Sequence, residues 1–178
     1  FQNGPIQGKD VFIPIEAIIG GPERAGQGWS MLMEQLAEGR GVSLPSEAQG
    51  GAQAAIYATG AYARLRKQFN VSVSQFEGVS EVIGRMAGNT YIMNSAVSVT
   101  CSLISNGEKP AVPSAIIKAH CTELGRKVSN DAMDVQGGKG IMAGPKNYLA
   151  NTYGSIPISI TVEGANILTR SLIIFGQG

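Results

Sequence analysis

Glu163 is the residue of this sequence whose surroundings best suit acid–base chemistry. It stands between Val162 and Gly164, at the start of a helical pattern that continues to Phe175. Apolar neighbours withdraw water from a carboxylate, and the glycine leaves room for a substrate to approach the backbone, so Glu163 could act as a general base. A structural role stays open beside it, because an acid in the first turn of a helix is stabilised by the helix dipole.

A glycine-rich turn and a basic cluster could bind phosphate groups. In the segment Gly137–Gly140, backbone N–H groups could point at an anion. This segment matches neither dinucleotide nor P-loop motifs and ends a helix where those motifs open one, so it could equally be a helix cap. Arg64, Arg66 and Lys67 could contact phosphate through the planar arginine groups, or complement the dipole of a helix end.

The composition excludes several other kinds of site. Fourteen Lys and Arg against thirteen Asp and Glu give a formal charge of +1, without the basic stripe that binds nucleic acid. His120 is the single histidine, so histidine clusters that bind metal are excluded, and we predict no metal site. Cys101 and Cys121 fall in helical patterns and are predicted to be reduced core residues. No apolar run reaches the roughly 18 residues of a membrane span.

Helices must position most of these residues. A chain of 178 residues, 43% of them hydrophobic, can bury a core without disulfides or a metal. Apolar and small residues recur at three- and four-residue steps, which predicts helices. The predicted helices are a short one from about Gly28 to Gly39 and four long ones, Pro45–Phe69, Phe76–Ser105, Pro113–Val135 and Glu163–Phe175. Long helices with short connections favour an all-α antiparallel four-helix bundle.

Local signals mark where these helices end. Gly39–Gly41 ends the first helix, and Pro45 begins the next because proline suits a first helical turn. Lys118 lies off the apolar stripe of its helix and is predicted to face water. The stretch Gly140–Pro157, rich in glycine, proline and asparagine, is predicted to be a loop.

The first 25 residues follow a different pattern. Val11–Ile15 is predicted to be a strand, and Gly20–Pro22 breaks it. We therefore expect a short β segment and connector over 1–25 and the helical domain over 26–178. Because the sequence begins at Phe1 without methionine and stops after an apolar stretch, we expect it to be a piece of a longer protein.

Five features, in order, resemble the carboxy-terminal part of the acyl-CoA dehydrogenase family, and the likeness covers nearly the whole chain. The opening strand and the connector 20–28 are similar to the end of the family's middle β domain. Leu36–Arg40 resembles its Arg-bearing first helix, and Arg66–Phe69 its R-K-x-F segment. Gln136–Gly140 is similar to its F-G-G-x-G turn, and Val162–Gly164 to its Y-E-G catalytic motif.

The resemblance implies an enzyme that uses FAD to convert an acyl-CoA thioester to trans-2-enoyl-CoA in fatty-acid β-oxidation. The segment Thr161–Asn166 and the extended loop before it are closest to the bacterial long-chain branch. By this resemblance Glu163 removes the α proton, and its backbone N–H polarises the thioester carbonyl together with a flavin ribityl hydroxyl. Gly164 and Arg40 would contact the substrate.

The family places its catalytic base at one of two positions. In some members the carboxylate stands directly before the arginine of the first bundle helix, but here that position is Gly39. Glu163 is therefore the predicted base, with Glu38 as a weaker alternative, since it lies one further step, about 100°, around the helix. Arg40 would lie near Glu163 and tune its charge.

The resemblance also implies a cofactor site with several departures. Arg66 and Phe69 would contact the diphosphate and adenine side of FAD bound to a neighbouring subunit, and Gly137 with Gly138 would line that site. The family's Thr and Gln after Y-E-G, and its Gln before F-G-G, are replaced by other residues. These replacements are Ala165, Ile167 and Asp134.

Partners and location follow from the same resemblance. We expect an acyl-CoA substrate, an electron-transfer flavoprotein as electron acceptor, and a homodimer or tetramer. The expected location is the cytoplasm, with peripheral attachment at the inner membrane of a bacterium as an alternative. Because the family's other domains are not in this sequence, we expect no activity from the isolated chain.

Two other functions remain open at this point. An acyl-CoA oxidase of the same fold would differ only in whether the reduced flavin meets oxygen. From a different class, the bundle could be a non-catalytic oligomerisation module, with Glu163 as no more than a first-turn acid. The acyl chain length is not fixed by any residue pattern.

Overall fold

The computed structural model describes residues 4–177, with their side chains except at positions 33, 34, 37, 38, 172, 176 and 177. The chain forms two compact units, Phe1–Gln35 and Leu36–Gly178. Among the described residues of the second unit, the only strands are the two short ones of a single hairpin. The predicted all-α bundle is confirmed.

The first unit has no strand in its described residues, so the strand predicted over Val11–Ile15 is wrong. Two short 3-10 turns, Ile15–Ala17 and Pro22–Arg24, take its place. The backbone hydrogen bonds here are local, as from Ala17 N–H to the Pro14 carbonyl. A strand needs a neighbouring strand to accept its hydrogen bonds, and the described part of this unit contains none.

The first helix, α1 (Gly28–Leu65), runs unbroken through the predicted break at Gly39–Gly41. Pro45 lies inside the helix and its ring is fully buried. A Cβ atom added to Gly41 would contact the Ser114 hydroxyl and lie 2.9 Å from Ser114 Cβ. Gly41 thus allows a close approach of another helix. Packing outweighs the low helix propensity of glycine and proline in this region.

A tight hairpin follows α1, which ends four residues before the predicted Phe69. The hairpin pairs β1 (Lys67–Gln68) with β2 (Val71–Ser72). Phe69 and Asn70 both have positive φ, 52° and 64°, which is typical of a type I′ turn.

Two long helices match the periodicity of the sequence closely. They are α2 (Glu77–Ser105) and α3 (Ala111–Gln136). The helix α3 is central, because it packs against α2 and against the two later helices. The main core cluster is formed by Ala52, Ala55, Met86, Met93, Cys121, Val128, Ala132 and Leu149.

Both cysteines are free, as predicted, but they differ in exposure. Cys121 is buried and Cys101 is half-buried. Burial raises the pKa of the Cys121 thiol to about 11, which makes it an inert core residue at neutral pH.

Two shorter helices complete the bundle, α4 (Ala150–Thr161) and α5 (Asn166–Gln177). The first of them corrects the predicted loop Gly140–Pro157, whose second half is helical. Asn147 explains the difference: its side-chain oxygen accepts the backbone N–H groups of Leu149 and Ala150, each at 3.1 Å. This supplies the acceptor that a helix beginning requires.

No single helix in the described residues is long and apolar enough to cross a bilayer. The pair α4 and α5, bent by 45°, satisfies that length and composition only when taken together.

We predict that Gly41→Ala lowers the free energy of unfolding by about 1–2 kcal/mol, because the added methyl group overpacks the contact with Ser114. Gly50→Ala is the matched control, since it lies in the same helix with open space around its Cβ position. It should raise stability by about 0.5–1 kcal/mol through helix propensity. Urea denaturation of both variants measures the two changes, and equal effects would contradict the packing argument.

Candidate active site

Glu163 lies in the turn between α4 and α5, three residues before α5 begins. Its φ is 53° and that of Gly164 is 88°, so two successive residues are left-handed. A right-handed helix cannot include them, which corrects the prediction that Glu163 stands in the first turn of a helix. The dipole of a first turn therefore does not account for this residue.

The carboxylate of Glu163 is half-buried and poorly paired. Its Oε1 atom lies 3.5 Å from the Ser43 hydroxyl, a weak contact, and its Oε2 atom is buried without a hydrogen-bond partner among the described residues. Ser43 also donates a shorter bond of 2.8 Å to the Gly39 carbonyl. A structural carboxylate is normally paired when buried. The unpaired oxygen therefore points to a group that binds beside it.

Arg40 lies against the same turn. A Cβ atom added to Gly164 would be 3.5 Å from Arg40 Nη2, and Arg40 Nε is buried with no hydrogen-bond partner in the described part of the chain. Among the described side chains, no ion pair joins Arg40 to Glu163. The structure thus brings together the three residues predicted to meet substrate, Arg40, Glu163 and Gly164. The side chain of Glu38, the alternative base, lies outside the described residues.

Ser43 was not among the predicted catalytic or substrate-binding residues. It lies three residues after Arg40 in α1. Residues at that spacing share one face of a helix. This spacing is the signal in the sequence that could have placed Ser43 beside Glu163.

Lys118 corrects the sequence analysis, which predicted it to face water. Its side chain is fully buried. The Nζ atom donates to the Gly164 carbonyl at 2.9 Å, to Asn166 Oδ1 at 2.7 Å and to the Ile160 carbonyl at 3.3 Å. The physical reason for the burial is this set of acceptors, which the α3 periodicity does not reveal.

The charges around Lys118 connect it to the candidate site. Burial lowers the pKa of Lys118 from its ordinary value, and the nearby Arg40 guanidinium adds to the lowering. The carboxylates of Glu163 and Glu123 oppose this effect. Electrostatic interactions therefore connect Lys118 with Arg40 and with the carboxylate of Glu163.

The sequence contains one signal for this burial. Ser114, Lys118 and Thr122 follow at four-residue steps in α3, and all three are buried. They form a second, polar stripe beside the apolar one. Two adjacent buried stripes indicate a helix that is enclosed on more than one side.

A second group of predicted residues borders a surface cavity of about 420 Å³. Arg66 and Gly138 line it together with Lys139 and Lys146. None of the described residues that line this cavity is acidic. Such a set of cationic donors suits an anion with several oxygens, such as a diphosphate.

Two predicted cofactor residues do not border this cavity. Phe69 is 88% exposed at the tip of the hairpin, where its ring stands edge-on to Phe76 at 6.3 Å between ring centroids. Gly137 has a φ of 58° and ends α3. The structure thus places Arg66 and Gly138 on one cavity, which Phe69 and Gly137 do not line.

Lys139 and Lys146 were missed by the sequence analysis as members of this group. The Lys139 ammonium lies 5.1 Å from the ring centroids of both Tyr62 and Tyr148. Cation–π contacts of this kind hold a lysine in place. Lys139 lies within the glycine-rich turn and Lys146 follows that turn by six residues, which is the sequence signal for this pair.

The two groups lie at opposite ends of α3. Lys118 is near one end and Gln136, which borders the cavity, is the last residue. At 1.5 Å per residue, the 18 steps between them span about 27 Å. The carboxylate site around Glu163 and the cationic cavity are therefore separate sites near opposite ends of α3.

Comparisons with known proteins agree on one family. The family model described as "Acyl-CoA dehydrogenase, C-terminal domain" matches residues 26–175. An acryloyl-CoA reductase (NADH) of Anaerotignum propionicum is 28% identical over 166 residues, which cover 93% of this chain and 40% of that protein. A protein of Proteus mirabilis named HemX is 62% identical over 61 residues, 34% of this chain and 36% of its own length.

Solved structures give the same result. The crystal structure of an acyl-CoA dehydrogenase from Geobacillus kaustophilus superposes with a TM-score of 0.81 at 26% identity. The likeness covers 85% of this chain and 39% of that one. This chain thus spans about two fifths of the length of the proteins that it matches.

The left-handed backbone at Glu163 predicts an unusual result of mutation. Glu163→Gly should be more stable than Glu163→Ala by about 1 kcal/mol, because alanine keeps the left-handed strain and glycine removes it. Both variants lose the carboxylate, so their difference isolates the backbone. Thermal or urea unfolding measures it, and an alanine variant as stable as the glycine variant would contradict the strained turn.

Proposed function

This chain belongs to the acyl-CoA dehydrogenase family, and we propose that it supplies the catalytic base of an FAD-dependent acyl-CoA dehydrogenase. In this proposal Glu163 removes the α proton of an acyl-CoA thioester. The observation that carries it is the buried Oε2 atom of Glu163, which has no hydrogen-bond partner among the described residues and lies in a left-handed turn. A carboxylate without a donor keeps its lone pair available to take a proton.

The turn also offers a donor for the thioester carbonyl. The α proton is weakly acidic, and negative charge develops on the carbonyl oxygen as it leaves. The last N–H bonded into α4 is that of Val162, which donates to the Ile158 carbonyl. The N–H of Glu163 follows it, outside the helix, and is proposed to bind the carbonyl oxygen. Gly164 lets the thioester approach the backbone closely.

The cationic cavity fits the diphosphate of FAD. Arg66, Lys139 and Lys146 supply positive charge without any described acidic residue beside them, and Gly138 presents backbone to the same space. When bound, FAD accepts the hydride from the β carbon, which no side chain of this chain can do.

The finer parts of the proposal rest on the family. They are fatty-acid β-oxidation, an electron-transfer flavoprotein as acceptor, and a homodimer or tetramer in the cytoplasm or at the inner membrane. The Anaerotignum relative is named for a reductase. The direction of the reaction is therefore part of the proposal, as is the choice of dehydrogenase over oxidase.

Anaerobic titration of the full-length protein with palmitoyl-CoA tests the base. We expect the visible flavin band to bleach in the wild type and in the control Glu108→Gln, which alters an exposed acid. In Glu163→Gln the rate of bleaching should fall by about 10²–10⁴-fold, since this is the range for a general base.

Two outcomes would contradict the proposal. If Glu163→Gln bleaches as fast as the wild type, the base is another residue, with Glu38 first among the candidates. If the wild type carries no flavin, the non-catalytic oligomerisation module becomes the better interpretation. Repeating the titration with butyryl-CoA shows which chain length reacts.

The cavity makes a separate prediction about cofactor binding. Arg66→Gln should weaken FAD binding by about 1.5–3 kcal/mol, the range for a hydrogen bond to a charged group, or roughly 10- to 150-fold in Kd. The matched control is Arg64→Gln, which alters an exposed arginine two residues earlier that does not line the cavity. Fluorescence titration of the apoprotein with FAD measures both, and equal losses would contradict the assignment of Arg66.

A further inference from the structure

Lys118 is a charged side chain in a place where an apolar one would suffice. It is 0% exposed and is the largest fully buried side chain of the described residues. Removing an ammonium group from water costs several kcal/mol, and an apolar side chain of similar volume often serves packing as well or better. The acceptors that surround the Lys118 ammonium group must therefore explain why a cation is present at this position.

The three contacts of Lys118 join three consecutive segments. The Ile160 carbonyl belongs to the last turn of α4, the Gly164 carbonyl to the left-handed turn, and Asn166 to the start of α5. An ammonium group has three donors, and each finds one acceptor. The last carbonyls of a helix have no partner within it, so the lysine completes the end of α4.

The side-chain nitrogen of Asn166 binds the same turn to α3. Its Nδ2 atom donates to Thr122 Oγ1 at 2.9 Å and lies 3.2 Å from Glu123 Oε1. Thr169 supplies a second donor to the Gly164 carbonyl, at 3.1 Å. The backbone that carries Glu163 is thereby bound to α3 on both sides.

This fastening opposes a backbone that would otherwise relax. A left-handed conformation at a residue other than glycine costs about 1–2 kcal/mol, and it persists only where the surroundings hold it. Glu163 has that conformation, and among the described residues its own carboxylate makes only the weak contact with Ser43. The contacts that hold it come from the residues that follow it and from Lys118.

We propose that Lys118 is a positioning residue for Glu163, holding the turn so that the carboxylate stands where the α proton is removed. This inference rests on the proposed function. The lysine does not touch the reacting atoms; it acts through the Gly164 carbonyl and Asn166. A displacement of about 1 Å at a reacting group can lower a rate by about 10²-fold, so loss of the lysine should appear in turnover.

The test compares Lys118→Met with Lys127→Met in the full-length protein. The first variant keeps most of the side-chain volume and removes the three donors, and the second alters an exposed lysine of the same helix. In Lys118→Met we expect the rate of flavin reduction by palmitoyl-CoA to fall about 10- to 100-fold. The Kd for trans-2-hexadecenoyl-CoA should stay within about twofold of the wild-type value, since uniform binding is unchanged.

Amide hydrogen exchange provides a readout that does not depend on turnover. We expect faster exchange over residues 162–166 in Lys118→Met, with wild-type protection kept over α2. Lys127→Met should match the wild type in both assays. Wild-type exchange over 162–166, or wild-type reduction rates in folded Lys118→Met, would overturn the proposal.

A second variant covers the case in which Lys118→Met does not fold. Asn166→Ser leaves the lysine in place but removes the acceptor of its shortest bond. Asn166→Ser should show slower flavin reduction and faster amide exchange over residues 162–166, both to a smaller extent than Lys118→Met. Wild-type behaviour of Asn166→Ser in both assays would overturn the proposal. If the wild type is not reduced by acyl-CoA at all, the proposed function fails, and the exchange result alone decides whether Lys118 holds the turn.

Discussion

The fold and the candidate site both depend on the bond between the Lys118 ammonium group and the Gly164 carbonyl, 2.9 Å long. It joins the central helix to a backbone segment that cannot be part of any helix. Without acceptors in this position a buried lysine would be strongly destabilising. Without the lysine the Ile160 carbonyl would lose its side-chain donor, and the Gly164 carbonyl would keep Thr169. One contact thus answers two requirements, the burial of α3 and the left-handed path of the chain at Glu163.

Close approach of the helices makes this arrangement possible. A Cβ atom at Gly41 would meet Ser114, and one at Gly125 would lie 3.3 Å from Ala48 Cβ. These small residues bring α1 near α3 at the level of the turn. Arg40 and Ser43, which flank Gly41 in the sequence, are then placed beside Glu163 and Gly164. Gly41, which was predicted to end the helix, is therefore the residue that allows this placement.

The sequence was informative where packing follows a single period. The helices α2 and α3 were predicted within two residues at every end, because their apolar stripes are long and regular. Local rules were wrong at Pro45 and Pro157, which lie inside helices. Propensity describes an isolated segment, and burial of a helix face can outweigh it.

The residues of the candidate site also fall into those that the sequence predicted and those that it did not. Arg40, Glu163 and Gly164 were predicted from motif likeness, and the structure brings them together. Lys118 was misplaced because its acceptors lie outside α3, in α4, the Glu163 turn and α5, and the polar stripe within α3 does not identify them. Hydrogen bonds between segments that are distant in the sequence follow no period, so the spacing of residues does not predict them.

The most direct measurement of this account is a crystal structure of the full-length protein with a long-chain 3-thia-acyl-CoA, whose sulfur at the β position prevents dehydrogenation. The account predicts a Glu163 carboxylate oxygen about 3–3.5 Å from the α carbon, the distance of a reactive arrangement. The Lys118 ammonium should remain bonded to the Gly164 carbonyl in that complex. A different carboxylate at the α carbon, with Glu163 turned away from the ligand, would contradict it.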